Sequence, residues 1–250
     1  MTNEIQRILS YMRRALDDYE MINDGDKIAV GVSGGKDSLA LLCAMAEIRR
    51  FYPKKFELCA ITVDMGFEGA DYSQIQELCR SLEVEYRIVR TDIGKIIFDI
   101  RKEKNPCSLC AKMRRGVLHE TAKEMGCKSV ALGHHYDDAV VTFMLNLFYE
   151  GRIGCFQPVT YLSRTDLYMI RPLIYTPEKT IAYFASKAAL PVMKSKCPAD
   201  KNTEREEMKQ LLRRLEFDNK GLRHRIFGAM QRAGIDGFKV AGRLPTEDDE

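Results

Sequence analysis

The stretch Lys27-Ile28-Ala29-Val30-Gly31-Val32-Ser33-Gly34-Gly35-Lys36-Asp37-Ser38 decides the fold. Its first half is a short apolar run entered from Asn23-Asp24-Gly25-Asp26, and it reads as a buried strand over 27–33. An apolar segment then predicts a helix over 37–50. Between them, Gly34 and Gly35 permit a tight turn in which several backbone N–H groups converge on an anion at the helix amino end. Ser33 and Ser38 add hydroxyl donors, and Lys36 adds a charge. The pattern is not the longer phosphate loop that ends in Gly-Lys-Ser/Thr.

Working outward, an amphipathic helix is expected over 3–20, with Ile5, Ile8, Leu9, Met12 and Leu16 at helical spacing. After the glycine loop come strands at 56–63, 85–89 and 129–133, alternating with helices at 72–82, 108–125 and 137–149. Apolar strands alternating with helices predict an α/β fold, a parallel sheet covered by helices on both faces. In such sheets ligands bind at the carboxyl ends of the strands. The unusual residues fall there: Ser33–Ser38, Asp64, and Gly133 to Asp138. From Thr176 onward the pattern becomes helical, at 177–190, 202–216 and 219–233, with no clear strand. The expected organisation is an N-terminal helix (1–25), a nucleotide-binding catalytic domain (26–175), a helical C-terminal region (176–238) and a tail (239–250).

Composition narrows the class. The chain has 250 residues, 45% hydrophobic and 30% charged, with 17 Gly and 8 Pro, which excludes a fibrous or mostly disordered protein. The longest apolar run, Leu39 to Ala46, is too short to span a bilayer, and the first twenty residues show no signal-peptide core, so a cytoplasmic protein is expected. Net charge is only +3, but Arg101, Lys102, Lys104, Lys112, Arg114 and Arg115 form a local basic run opposed by Glu103 alone. Such a run suits nucleic acid or a solvated face.

Eight Cys in a cytoplasmic chain are expected as thiols, metal ligands or catalytic groups. Cys43, Cys59, Cys79 and Cys127 lie in apolar or amphipathic segments and read as core. Cys107-Ser108-Leu109-Cys110 is different, and Cys197 stands alone between Lys196 and Pro198. The pair suits half a zinc site, a redox couple or part of an iron–sulfur site. With Cys197 it makes three soft thiolates, which on a four-iron cluster leave one iron open to an exogenous ligand. Cys155, in a loop, is an alternative ligand or a persulfide carrier. In Gly133-His134-His135-Tyr136-Asp137-Asp138, the two acids are read as holding Mg²⁺ or orienting a nucleotide, or as capping the next helix. For His134 and His135, ring packing or hydrogen bonding is expected ahead of a two-His metal site.

The glycine loop resembles the pyrophosphate loop of the adenine nucleotide hydrolases, which activate a carbonyl oxygen by adenylation. Taken in order, Ser33–Ser38, Pro106–Cys110, Lys112–Gly116, Ala131–Asp138, Asn146–Tyr149 and Arg171-Pro172-Leu173 closely resemble the TtcA-like tRNA 2-thiocytidine synthetases over roughly residues 15–216. The resemblance implies a Rossmann-like PP-loop fold and ATP- and Mg²⁺-dependent sulfur insertion at C2 of cytidine 32. It further implies a 4Fe–4S cluster with three protein ligands, assigned here to Cys107, Cys110 and Cys197. Family members carry the third cysteine within a second Cys-x-x-Cys, a feature this chain lacks. Related 2-thiouridine enzymes usually add terminal zinc-binding Cys clusters, also absent here. They carry a lysine where this chain has Arg114, and their catalytic aspartate falls on Asp138. An arginine does not serve readily as a base, so Arg114 is read as a charge stabiliser or a phosphate contact.

These correspondences assign ATP phosphates to Ser33, Gly34, Gly35, Lys36, Asp37 and Ser38, adenine to the backbone near Val63 and Asp64, and Mg²⁺ to the neighbourhood of Asp37 and Asp138. Gly133 and Asp137 complete the expected nucleotide site, and Asp37, Arg114 and Asp138 are its expected catalytic residues. The implied partners are the tRNA anticodon loop, held by Arg101–Arg115 and by Arg213, Arg214, Arg223 and Arg225, and a sulfur donor such as a cysteine desulfurase or sulfide. A homodimer is the implied assembly. The competing readings are a 2-thiouridine synthetase, a tRNA lysidine synthetase, which needs no cluster, and a non-catalytic nucleotide-binding regulator stabilised by zinc.

Overall fold

The computed structural model describes residues 3–101, 106–194 and 204–240. Six strands form one sheet in the order β3-β2-β1-β4-β6-β5. They are β1 (Asp26–Gly31), β2 (Phe56–Asp64), β3 (Glu85–Arg90), β4 (Ser129–Ala131), β5 (Val159–Leu162) and β6 (Leu167–Ile170). All neighbours are parallel except β5 and β6, an antiparallel hairpin closing through the turn 163–166, where Asp166 has φ +54°. The helices are α1 (Asn3–Asp18), α2 (Lys36–Ile48), α3 (Ser73–Ser81), α4 (Ile93–Lys95), α5 (Pro106–Glu124), α6 (Tyr136–Tyr149), α7 (Glu178–Lys187), α8 (Glu204–Asp218) and α9 (Leu222–Arg232). α4 runs on as a π-helical turn, Ile96–Ile100.

β1 lies at the centre, paired to β2 through Ala29↔Cys59 and to β4 through Ala29↔Val130. Side chains alternate across a strand, and the two faces bury different partners. Ile28 and Val30 pack with α1, α2 and the C-terminal helices, whereas Ala29 packs with Cys59, Cys127 and with Leu118 and Ala122 of α5. Cys43, Cys59, Cys79 and Cys127 are all buried. Ile5, Ile8, Met12 and Leu16 of α1 join the same cluster as Ile181, Met208, Phe227 and Met230. The N-terminal helix and the C-terminal helices therefore share one core with the sheet.

Two elements depart from the sequence expectation. The β5–β6 hairpin and the helical turn at 93–100 both fall where no element was expected. The hairpin strands have four residues each, too few to display a period, and β6 is inserted between β4 and β5 by tertiary pairing. The expected tail lies outside the described residues from 241 on, while the Lys239 N–H still donates to Tyr19 Oη at 3.3 Å. No helix among the described residues is long and apolar enough to cross a membrane.

Candidate nucleotide and thiolation site

At the carboxyl ends of β1, β2 and β4 the chain encloses a cavity of about 540 Å³. Its floor begins with the glycine loop. Gly34 sits at φ +82°, a left-handed conformation that glycine adopts without strain. Ser38 Oγ accepts from the Ser33 N–H (3.1 Å) and hydroxyl (3.2 Å) and donates to Gly35 O (2.9 Å), which locks the turn. The first helical hydrogen bond of α2 runs from Leu39 N–H to Gly35 O, 3.1 Å. The N–H groups of Lys36, Asp37 and Ser38 precede that bond, which is the arrangement that receives a phosphate.

The loop after β4 packs directly on this helix end. A Cβ added at Gly133 would stand 3.0 Å from the Asp37 carbonyl carbon and 3.1 Å from Ser38 N. Backbone cannot swing aside as a side chain can, so Gly133→Ala is expected to destabilise the fold by about 1–3 kcal/mol, in the range of an overpacked core. Urea unfolding checks this, and a parallel ATP titration should show weaker binding because the displaced atoms belong to the phosphate loop.

Ser33, Asp37, Ser38, Val63, Gly133 and Asp138 line the cavity, and Arg114 and Arg115 close it from α5. His135 is buried between the acids: its Nε2 lies 3.7 Å from Asp37 Oδ1 and 3.4 Å from Asp138 Oδ2. Asp138 Oδ2 also accepts the His135 N–H (3.1 Å), so it caps α6, and its Oδ1 meets Arg205 at 2.6 Å. Burial pushes the Asp138 carboxyl up, but His135 and Arg205 outweigh it and hold the group below the usual carboxylate range.

Two expected nucleotide ligands turn elsewhere. The Lys36 ammonium is held by Asp37 and Glu178, both at 2.9 Å, and Lys36 does not line the cavity. Asp137 does not join Asp138: it accepts the Glu178 N–H and an Arg223 N–H, each at 2.7 Å. The Asp64 carboxylate accepts from Gly66 N–H (3.0 Å) and Tyr72 Oη (3.3 Å), organising the loop that follows the backbone expected to meet adenine. Gly34 and Gly35 shape the loop without lining the cavity, and Met193 N–H donates to Gly34 O at 2.9 Å.

The expectation for the His-His pair resolves into packing and hydrogen bonding. His134 Nδ1 accepts from Arg171 Nε at 3.3 Å, and its ring lies 5.0 Å from Phe156. Arg171, which lines the cavity, is buried, lies 4.8 Å from the centroid of the Phe156 ring, and donates to Gln157 O. Burial lowers the Arg171 pKa to about 10, with Arg115 adding to the effect. Burial, reinforced by Arg171, lowers that of His134 to about 4. A histidine that is neutral when folded and has an ordinary pKa when unfolded loses stability as pH falls through that window. Between pH 7 and pH 5 this term is worth about 2 kcal/mol. Urea unfolding at the two pH values should show it, and His134→Gln, which keeps an acceptor for Arg171, should flatten the dependence. Equal slopes in the two proteins would remove His134 from the account.

Cys107 and Cys110 lie in the first turns of α5, which opens with Pro106, a residue suited to the first helical position. Separated by three residues they share one face, and Ala111 and Arg114, just beyond, line the cavity. Cys107 is exposed and Cys110 half-buried, so the pair stands at the cavity rim. Cys197 lies outside the described residues, as do Lys102 and Lys104. Cys155 is buried, its thiol donates to Ala139 O at 3.4 Å, and burial pushes its pKa up to about 12. No described group of three His, Cys, Asp or Glu gathers into a complete metal site.

Sheet order and phosphate loop together define a PP-loop protein, and the PP-loop domain family matches residues 3–215. A tRNA-cytidine(32) 2-sulfurtransferase of Syntrophotalea carbinolica is 38% identical over 228 residues, covering 90% of this chain and 88% of that protein. One of Geobacter sulfurreducens is 37% identical over 228 residues, covering 90% and 89%. Among solved structures, the U34-tRNA thiolase NcsA from Methanococcus maripaludis with its 4Fe-4S cluster superposes with TM-score 0.74 at 27% identity, over 91% of this chain and 78% of that one. The chain belongs to the PP-loop family that contains the tRNA-cytidine(32) 2-sulfurtransferases.

Sequence reasoning passed over Arg171 and Arg205 as site residues. Arg171 had a signal, since a charged residue ends an otherwise apolar strand in Arg171-Pro172-Leu173. Arg205 had none, because only the packing of α8 against α6 brings it to Asp138.

Proposed function

We propose that this protein is an ATP-dependent tRNA sulfurtransferase that replaces the C2 oxygen of cytidine 32 with sulfur. The observation that carries the reading is the convergence on one cavity of a phosphate loop, two carboxylates, three arginines and, at the rim, a Cys-x-x-Cys pair. The names and identities of its relatives favour cytidine over the uridine of the more distant thiolase.

ATP binds with its phosphates on the N–H groups of Lys36–Ser38 and its adenine beside Val63. Asp37 and Asp138, hard oxygen donors on either side of His135, suit Mg²⁺ and would hold it against the phosphates. Arg114, Arg115 and Arg171 supply positive charge where the α-phosphate is attacked. The target base must leave its stack, which is cheapest in an anticodon loop. Its C2 oxygen attacks the α-phosphorus, the bond to the bridging oxygen breaks, and pyrophosphate departs. Sulfide then adds at C2, and AMP leaves with the original oxygen.

Cys107 and Cys110 fit two positions of a cluster, being soft thiolates three residues apart at the amino end of a helix, where negative charge is favoured. Cys197 is the third proposed ligand. When bound, a cluster with three protein ligands supplies an iron position open to sulfide. Basic residues of α5, α8 and α9 hold tRNA phosphates, sulfide or a desulfurase supplies the sulfur in the cytoplasm, and the protein pairs as a homodimer. A strain lacking the gene should yield tRNA without 2-thiocytidine while keeping its other thionucleosides. Unchanged 2-thiocytidine would defeat the reading.

A further inference from the structure

Behind the first turn of α6 lies a second cavity, of about 700 Å³, between α1, α6, α7, α8 and α9. Asp137 lines it, while its neighbour Asp138 lines the nucleotide cavity, so the two spaces lie back to back across one helical turn. We propose that this second cavity binds one unstacked nucleotide of the tRNA, next to the one being modified. The inference rests on the reading of the protein as a tRNA sulfurtransferase and assigns a particular site to the RNA.

The walls have the chemistry of a nucleotide. Tyr11 and Tyr136 present partly exposed rings, Tyr136 standing 4.7 Å from the buried Phe227, while the buried Tyr175 backs them with Arg14 lying 5.2 Å over its ring. Aromatic faces accept any base, at about 1–3 kcal/mol for each stacked base. The charges around them leave a cationic surplus. The acids of the cavity are already engaged: Asp137 by Arg223, Glu178 by Lys36, and Glu216 by the N–H groups of Gly221 and Arg223. Lys179 makes no ion pair among the described residues, and Arg213 meets only the exposed Glu206, at 3.7 Å. The buried Nε of Arg223 has no hydrogen-bond partner. An aromatic wall with unspent cations at its rim matches a base and its phosphate better than it matches an apolar ligand or a metal. The two cavities adjoin through consecutive residues of α6, Asp137 and Asp138.

The test uses the full-length holoprotein and a tRNA bearing cytidine 32, with affinity measured by filter binding over a series of salt concentrations. Tyr11→Ala is expected to weaken tRNA binding at least fivefold while ATP affinity is unchanged, and Tyr11→Phe to restore it. Lys179→Ala should lower the slope of log K against log salt by about 0.7, the loss of one phosphate contact, with Lys179→Arg returning the slope. Wild-type tRNA affinity and slope in both alanine variants would overturn the proposal. So would a second bound equivalent of free AMP that disappears in Tyr11→Ala, which would assign the cavity to a mononucleotide. If the wild-type protein binds no tRNA, the sulfurtransferase reading itself fails, and this inference with it.

Discussion

Cys107→Ala and Cys110→Ala are each expected to reduce thiolation to background after anaerobic reconstitution while ATP affinity stays within about twofold of wild type. The separation follows from the geometry. The phosphate loop is built from Ser33, Gly35 and Ser38, which bond to one another, whereas the thiols stand on α5 at the rim. Neither thiol contributes to the buried core, so removing one leaves the fold intact. At the proposed three-thiolate site, by contrast, removing one ligand would leave a cluster two anchors. The checks are iron and acid-labile sulfide per chain, the visible absorption of the cluster, and thiolated nucleoside formed per hour. Full activity in either variant would remove the cysteine from the metal site.

Asp138→Asn and Asp37→Asn are expected to cut ATP-dependent pyrophosphate release by about 10²–10³, the usual cost of losing a preorganised charge at a reacting phosphate. Asparagine separates charge from capping. Asp138 caps α6 by accepting the His135 N–H, and the amide oxygen of Asn can still accept it. Arg205 loses its ionic partner but lies partly in solvent, which limits the cost to the fold. The variants should therefore melt near wild type, retain iron and fail at adenylation. Wild-type pyrophosphate release in both would reduce these carboxylates to helix-capping groups.

The central sheet was legible because its signals are local. A buried strand, two glycines and an apolar helix specify β1, the phosphate loop and α2 within a dozen residues. Alternating apolar runs did the same for β2 to β4, with boundaries shifted by a residue or two. The hairpin of β5 and β6 was not legible, since its four-residue strands exist through pairing with β4. The site was legible in composition more than in direction. Asp137 and Asp138 read as one acidic pair, yet consecutive residues of a helix point about 100° apart, and the two carboxylates enter different cavities. Lys36 read as a phosphate ligand, but Glu178, far along the chain, draws its ammonium away. Which way a side chain faces at these positions depends on α7, α8 and α9, and no local pattern encodes their docking.

Adenylation and sulfur insertion meet in one assay. The reconstituted protein is incubated anaerobically with ATP, Mg²⁺, sulfide and unmodified tRNA bearing cytidine 32, and the tRNA is digested and read by mass spectrometry. 2-Thiocytidine at position 32 is expected, formed only when ATP is present. Cytidine 32 left unmodified, or sulfur found instead on a uridine, would contradict that expectation.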